Sequence, residues 1–190
     1  MKKISLLAFA FILSFVSCKD KKKEENIVVE EEVFIEKIVD TKTVTVKLEP
    51  KSDSKVTGEV VFTEVDGTIA MVAKLSGLEQ GTHAIHIHES SDCSSPDGKS
   101  TGGHWNPTNQ PHGAWGAESG YHKGDIGNVI ADENGNAELT FSTNEWCIGC
   151  EDDTKNILGK AIIVHAGEDD LTTQPTGAAG GRVSCGGIIE

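Results

Sequence analysis

A chain of 190 residues with 30 acidic and 17 basic side chains carries a formal net charge of −13, which makes it a poor partner for nucleic acid or an anionic lipid surface. The same charge would repel a free anionic substrate, so any such substrate needs a local cation to meet it. The length exceeds one ordinary domain only slightly, enough to bury a sizeable core once the ends are set aside.

In chain order, Met1-Lys2-Lys3 gives a basic start, residues 4–16 an apolar run, and Ser17-Cys18 a small residue followed by cysteine. An apolar run this short reads as a signal segment, not a membrane span. Phe15-Val16-Ser17-Cys18 resembles a bacterial lipoprotein signal, which implies cleavage before Cys18 and lipidation of its thiol; plain secretion with cleavage nearby is the alternative. Either reading exports the protein to the cell envelope, periplasm or outer-membrane surface. Residues 18–40 include Lys19-Asp20-Lys21-Lys22-Lys23-Glu24-Glu25 and Glu30-Glu31-Glu32, charge runs that read as a solvated tether. Residues 41–190 are then one domain.

With Cys18 assigned to lipid, four of the five cysteines remain, enough for two disulfides in an oxidising compartment. Three pairings are open. If Cys147 and Cys150 pair locally, Cys93 is left with Cys185, closing a loop of about ninety residues worth on the order of 4–5 kcal/mol. Cys147-Ile148-Gly149-Cys150 also has the spacing of a redox or zinc pair, but no strand-helix-strand pattern surrounds it.

Alternation dominates and helical periodicity is nearly absent. Segments 43–48, 56–64, 68–75, 84–88, 137–142, 161–165 and 182–189 all read as strands. Val65-Asp66-Gly67-Thr68 and Asp132-Glu133-Asn134-Gly135 carry hairpin chemistry, because glycine tolerates positive φ. Short alternating strands with many turns predict an all-β antiparallel sandwich or barrel. Two stretches, 90–126 and 166–181, are long and rich in Gly, Pro, Ser and Asn, and loops of that length in a compact domain tend to carry function.

Six of the seven histidines and one aspartate sit in or beside those loops. His86 and His88 share one face of a strand, with Ile85 and Ile87 on the other. His165 ends the apolar strand Ala161-Ile162-Ile163-Val164, and His104 comes from the loop. These four would form an all-nitrogen group suited to copper. His112, His122 and Asp125, again with His104, would form a group of three nitrogens and one oxygen suited to tetrahedral zinc. His83 is read as a surface residue with no metal role, and Trp115 and Tyr121 as loop packing.

His83-Ala84-Ile85-His86-Ile87-His88-Glu89, Gly103-His104-Trp105-Asn106-Pro107, His112-Gly113, His122-Lys123-Gly124-Asp125-Ile126-Gly127-Asn128, Val164-His165 and Gly180-Gly181-Arg182-Val183-Ser184-Cys185-Gly186 resemble the copper/zinc superoxide dismutase family. The resemblance runs from about Val44 to the C-terminus. It implies an eight-stranded antiparallel Greek-key β-barrel or sandwich with long metal-binding and electrostatic loops. It also implies dismutation of superoxide to dioxygen and hydrogen peroxide, with one copper and one zinc per subunit and His104 as the ring shared between them. Arg182 would dock the anion at the copper mouth, and Asp169 would link His86 to His112. Trp105 stands where the family usually has Phe. The segment 147–150 has no assigned role, and the span from His88 to Cys93 is closer to exported bacterial members, which leaves monomer and homodimer both open. Two rival functions use the same ligands: a surface copper-delivery module, against which methionine is scarce, and a zinc-stabilised adhesion domain, against which the copper set and Arg182 are complete.

Overall fold

The computed structural model describes residues 40–190, and the expectations for the signal, Cys18 and the tether fall outside that range apart from Asp40. Eight antiparallel strands make up the fold: β1 (Thr41–Pro50), β2 (Thr57–Val65), β3 (Thr68–Ser76), β4 (Gly81–His88), β5 (Gly127–Ala131), β6 (Ala137–Thr143), β7 (Ala161–His165) and β8 (Arg182–Gly187). The only helical element among the described residues is a single 3-10 turn, Lys99–Thr101. The strand order is β5-β4-β7-β8-β1-β2-β3-β6, with crossovers at β4–β7, β8–β1 and β3–β6, a Greek-key arrangement in a nearly closed barrel.

The barrel has a sandwich character because its two halves are joined by little. β1 pairs with β2 along eight residues but with β8 only at Glu49↔Cys185 and Pro50↔Ser184. Burial follows the alternation of the sequence: Val44, Val46 and Leu48 of β1 point inward, and meet Phe62, Met71, Ile85, Ile87, Ile162 and Val164 in one core. The β2–β3 hairpin turns at Asp66 (φ 48°) and Gly67 (φ 76°), the double positive-φ turn that matches strand twist.

Three expectations are corrected. β5 falls outside the expected strands: it is short, and Ile130 on its outer face is 75% exposed, which erases the apolar alternation. The turn at Asp132–Gly135 forms, with Asp132 N–H donating to Asn136 O at 2.9 Å, yet it is not a ladder hairpin. β5 and β6 lie at opposite ends of the strand order, and the turn spans the barrel's closing edge. The last strand ends at Gly187 instead of running to Ile189.

Both disulfides form, Cys93–Cys185 and Cys147–Cys150. The first ties loop 89–126 to β8 three residues beyond Arg182, and the second closes a small loop before β7. Their sequence separations, 92 and 3, predict very different contributions. In the chain-entropy model the long closure is worth about 4–5 kcal/mol and the short one about 2 kcal/mol. A Cys93→Ser/Cys185→Ser protein should therefore melt roughly 8–20 °C lower, well beyond the Cys147→Ser/Cys150→Ser protein. Equal shifts in thermal melts would show that closure length does not decide the matter.

Candidate metal centre

The sheet presents three imidazoles from neighbouring strands. His86 and His88 lie on β4 with both side chains fully buried, and His165 closes β7 at a bulge between Val164 and His165. Loop 89–126 folds back over them. His104 bridges to His88, Trp105 N–H donates to Ile87 O at 2.8 Å, and Ile87 N–H donates to Gly124 O at 3.0 Å. Gly124 is required here, because a Cβ would collide with the Ile87 carbonyl. The same loop brings in His112, His122 and Asp125, all buried.

Two groups result, His86/His88/His104/His165 and His104/His112/His122/Asp125, each with its donor atoms within 4.8 Å of one another. His104 belongs to both. In the second group the three ring centroids stand 5.4, 5.6 and 5.5 Å apart, a near-equilateral triangle. Asp125 faces it, with Oδ1 2.8 Å from His104 Nδ1 and 3.2 Å from His122 Nδ1, and Oδ2 3.0 Å from His112 Nδ1. Those spacings are close to the edge of a ligand tetrahedron around a metal with bonds of about 2.0–2.1 Å.

Outside the two groups, the rings are held by acceptors that fix their tautomers. His88 Nδ1–H donates to Gly102 O at 3.0 Å and His165 Nδ1–H to Gly180 O at 3.3 Å. Asp169 accepts from His86 Nε2–H and His112 Nε2–H, each at 2.9 Å. An acceptor at one ring nitrogen leaves the other as a bare lone pair. The buried nitrogens without a hydrogen bond are His86 Nδ1, His88 Nε2, His165 Nε2 and His112 Nδ1, each opposite such an acceptor, with His104 Nε2, opposite the Nδ1 that meets Asp125, and His122 Nδ1. Buried polar atoms are normally satisfied. Six left bare, converging in two clusters, form a donor set that fits two metal ions.

Without metal, burial keeps the His88, His104 and His165 rings neutral, while two carboxylates favour charge on His112. Burial, followed by the neighbouring His104, pushes His88 down to about 2; burial likewise carries His165 to about 3 and His104 to about 4. Burial also opposes charge on His112, but Asp125 and Asp169 outweigh it and hold that ring up to about 9. Burial of Asp125 and Asp169 works against ionisation, yet hydrogen bonds from the His104 ring and the His122 amide to Asp125, and from His112 and His86 to Asp169, keep both well below the usual carboxylate range. The sign for acid stability follows. His88, His104 and His165 bind protons in the unfolded chain near 6.5 but not in the folded one, so the unfolded state gains protons as pH falls below 6.5. The metal-free protein should lose on the order of a few kcal/mol between pH 7 and pH 5, read as a lower Tm. An unchanged or higher melting point at pH 5 would contradict it.

The two groups contain every residue that the sequence assigns to a metal, and Asp169, 1% exposed, joins His86 and His112 between them. Its place is kept by Gly177 (φ 65°), where a Cβ would overlap its carboxylate and approach its Cγ to 2.6 Å. His83 corrects the surface reading. It is 4% exposed, with Nδ1 3.0 Å from His165 O and Nε2 2.8 Å from Glu79 O. Its parity with Ile85 and Ile87 was the signal that placed it inside. Trp115 packs against Tyr121, Phe141 and Trp146, as loop packing requires.

Arg182, at the start of β8, lies beside the first group. It lines a 280 Å³ cavity with His88, His165, Asp97, Lys99 and Thr176, open to solvent.

Comparison with known proteins agrees with this geometry. The family model described as copper/zinc superoxide dismutase matches residues 56–188. Superoxide dismutase [Cu-Zn] 3 of Arabidopsis thaliana is 38% identical over 141 residues, covering 70% of this chain and 83% of that one. The crystal structure of a SOD-like protein from Bacillus subtilis superposes with a TM-score of 0.68 at 29% identity, covering 76% of this chain and 97% of that one. A double mutant of that protein gives 0.69 at 30% identity, covering 77% and 97%. The chain belongs to the copper/zinc superoxide dismutase family. It is a superoxide dismutase, an oxidoreductase that uses copper and zinc. Its disulfides suggest an exported or extracellular protein.

Proposed function

We propose that His86, His88, His104 and His165 hold the copper, that His104, His112, His122 and Asp125 hold the zinc, and that the His104 ring is shared between the two. The observation that carries this assignment is the set of six bare ring nitrogens, divided between two clusters that meet at His104. Copper, when bound, supplies the one-electron chemistry by which one superoxide is oxidised to dioxygen and a second is reduced, with two protons, to hydrogen peroxide.

The chain's own residues supply the rest. Arg182 docks the anion in the cavity beside His88 and His165. His104 Nε2, buried and facing the first group, is the atom suited to hold a proton and pass it to the reduced product. Asp169 orients His86 and His112 together, so neither ring can turn without the other. The zinc group fastens loop 89–126 and needs no open position.

The wider setting is antioxidant defence of the cell envelope. Cleavage before Cys18, a lipid on its thiol and the tether 18–40 would hold the domain 41–190 at a membrane. Both metal groups are complete within one chain, so catalysis needs no second copy, and a homodimer would serve stability instead.

The test is metal analysis of the purified protein and of a His104→Ala variant, alongside superoxide consumption with and without chelator. One copper and one zinc per wild-type chain, chelator-sensitive turnover and loss of affinity for both metals on substitution are expected. Loss of one metal alone in the variant would overturn the shared ring, and bound metal without turnover would overturn the proposed roles.

A further inference from the structure

Arg182 has five N–H donors in a rigid plane, and where that plane points is decided by what the donors meet. Nη1 donates to Gly98 O at 2.8 Å and to Thr101 Oγ1 at 3.0 Å, and Nη2 donates to Gly102 O at 2.7 Å. Three donors are thus taken by the turn 98–102. Among the described residues, no hydrogen-bond partner is assigned to Nε–H or to the second Nη2–H. Those two lie along one edge of the guanidinium, the geometry that receives an anion with paired donors.

Two of the three acceptors are main-chain carbonyls that any residue would provide. Thr101 is the exception, the one side chain hydrogen-bonded to the guanidinium. It is fully buried, and its hydroxyl has a single proton, which it donates to Gly98 O at 2.9 Å. Among the described residues, the oxygen lone pairs accept from Arg182 alone. Its backbone is held as well, with Thr101 O accepting from Ser90 N–H at 3.0 Å.

We infer that Thr101 is a positioning residue for Arg182: its hydroxyl takes the second Nη1 hydrogen and so turns the free guanidinium edge toward the cavity beside His88 and His165. This rests on the reading of Arg182 as the anion-docking group. Without the hydroxyl, that N–H loses its partner, and the guanidinium rotates to satisfy it at the expense of the edge offered to the anion.

Azide serves as the probe, titrated into the copper- and zinc-loaded protein and followed by the visible absorption of the copper. Thr101→Val keeps the volume and removes the acceptor; the azide Kd is expected to rise by about threefold to tenfold, with metal content unchanged. Thr101→Ser restores the hydroxyl and should return the Kd to the wild-type value. In an Arg182→Ala background Thr101→Val should have no further effect, because the group it positions is gone. Should valine fail to give folded protein, Thr101→Ala is judged on the same titration. A Kd unchanged by Thr101→Val, while Arg182→Ala weakens azide, overturns the inference and leaves Arg182 in place. An equal loss in both backgrounds overturns it too, as a general disturbance of the fold. No effect of Arg182→Ala on azide overturns the reading of Arg182 itself.

Discussion

Asp125→Ala protein is expected to retain less than about a tenth of its zinc and to melt roughly 6–20 °C lower than wild type. Five groups converge on this one carboxylate, which is 1% exposed. Three are the Nδ1 atoms of His104, His112 and His122. The others are backbone N–H groups, Gly113 at 3.1 Å on Oδ2 and His122 at 2.8 Å on the same oxygen. Removing it leaves the two buried amides without acceptors, at about 1–3 kcal/mol each, and removes the only anion among the four donors of that group. Asp125→Asn separates the two losses. The amide oxygen can still serve a backbone N–H, so part of the stability returns, while the missing charge keeps zinc affinity low. Copper binding should suffer less than zinc binding, because His86, His88 and His165 are fixed by strands and not by Asp125. Full zinc occupancy in the alanine protein, measured by elemental analysis, would refute the assignment of the second group.

The legible parts of this molecule were those fixed by near neighbours in sequence. Val44, Val46 and Leu48 declare their strand through alternation alone, and Asp66-Gly67 declares its turn because both residues take positive φ. His86 and His88 could be placed on one face from strand parity. Where tertiary contact decides, local reading gave out. The turn at Asp132–Gly135 looks like a hairpin because turn chemistry is local, whereas β6 pairs with β3 from Ile69↔Thr143 to Leu75↔Ala137. A lone histidine such as His83 suggests the surface, although its parity matches the buried Ile85 and Ile87. Gly177 and Thr101 carried no readable signal. The first matters only because Asp169 folds against it, and the second only because Arg182, 81 residues away, reaches its hydroxyl.

Arg182→Ala is expected to keep both metals and to lose about tenfold or more in rate at low ionic strength, a loss that shrinks as salt is added. Two opposed fields act on an approaching anion. The whole chain, at −13, repels it, and screening that repulsion would make the rate rise with salt. The guanidinium attracts it within a 280 Å³ cavity whose walls focus the field, and screening that attraction would make the rate fall. The nearest other charges cancel, since Lys99 Nζ lies 2.8 Å from Asp97 Oδ2, so Arg182 supplies the net positive charge at the mouth. Local attraction acts over the last few ångströms, where a Debye length of about 8–10 Å screens it only in part, and it governs the productive step. Wild-type rate should therefore fall from about 10 mM to 150 mM salt, and the alanine variant, left with only the global repulsion, should show the slope reversed. A flat or rising wild-type profile would remove local steering, and unchanged turnover in Arg182→Ala would remove Arg182 from the reaction. Lys at this position tests the planar fork apart from the charge: it should keep the sign of the salt slope but recover only part of the rate.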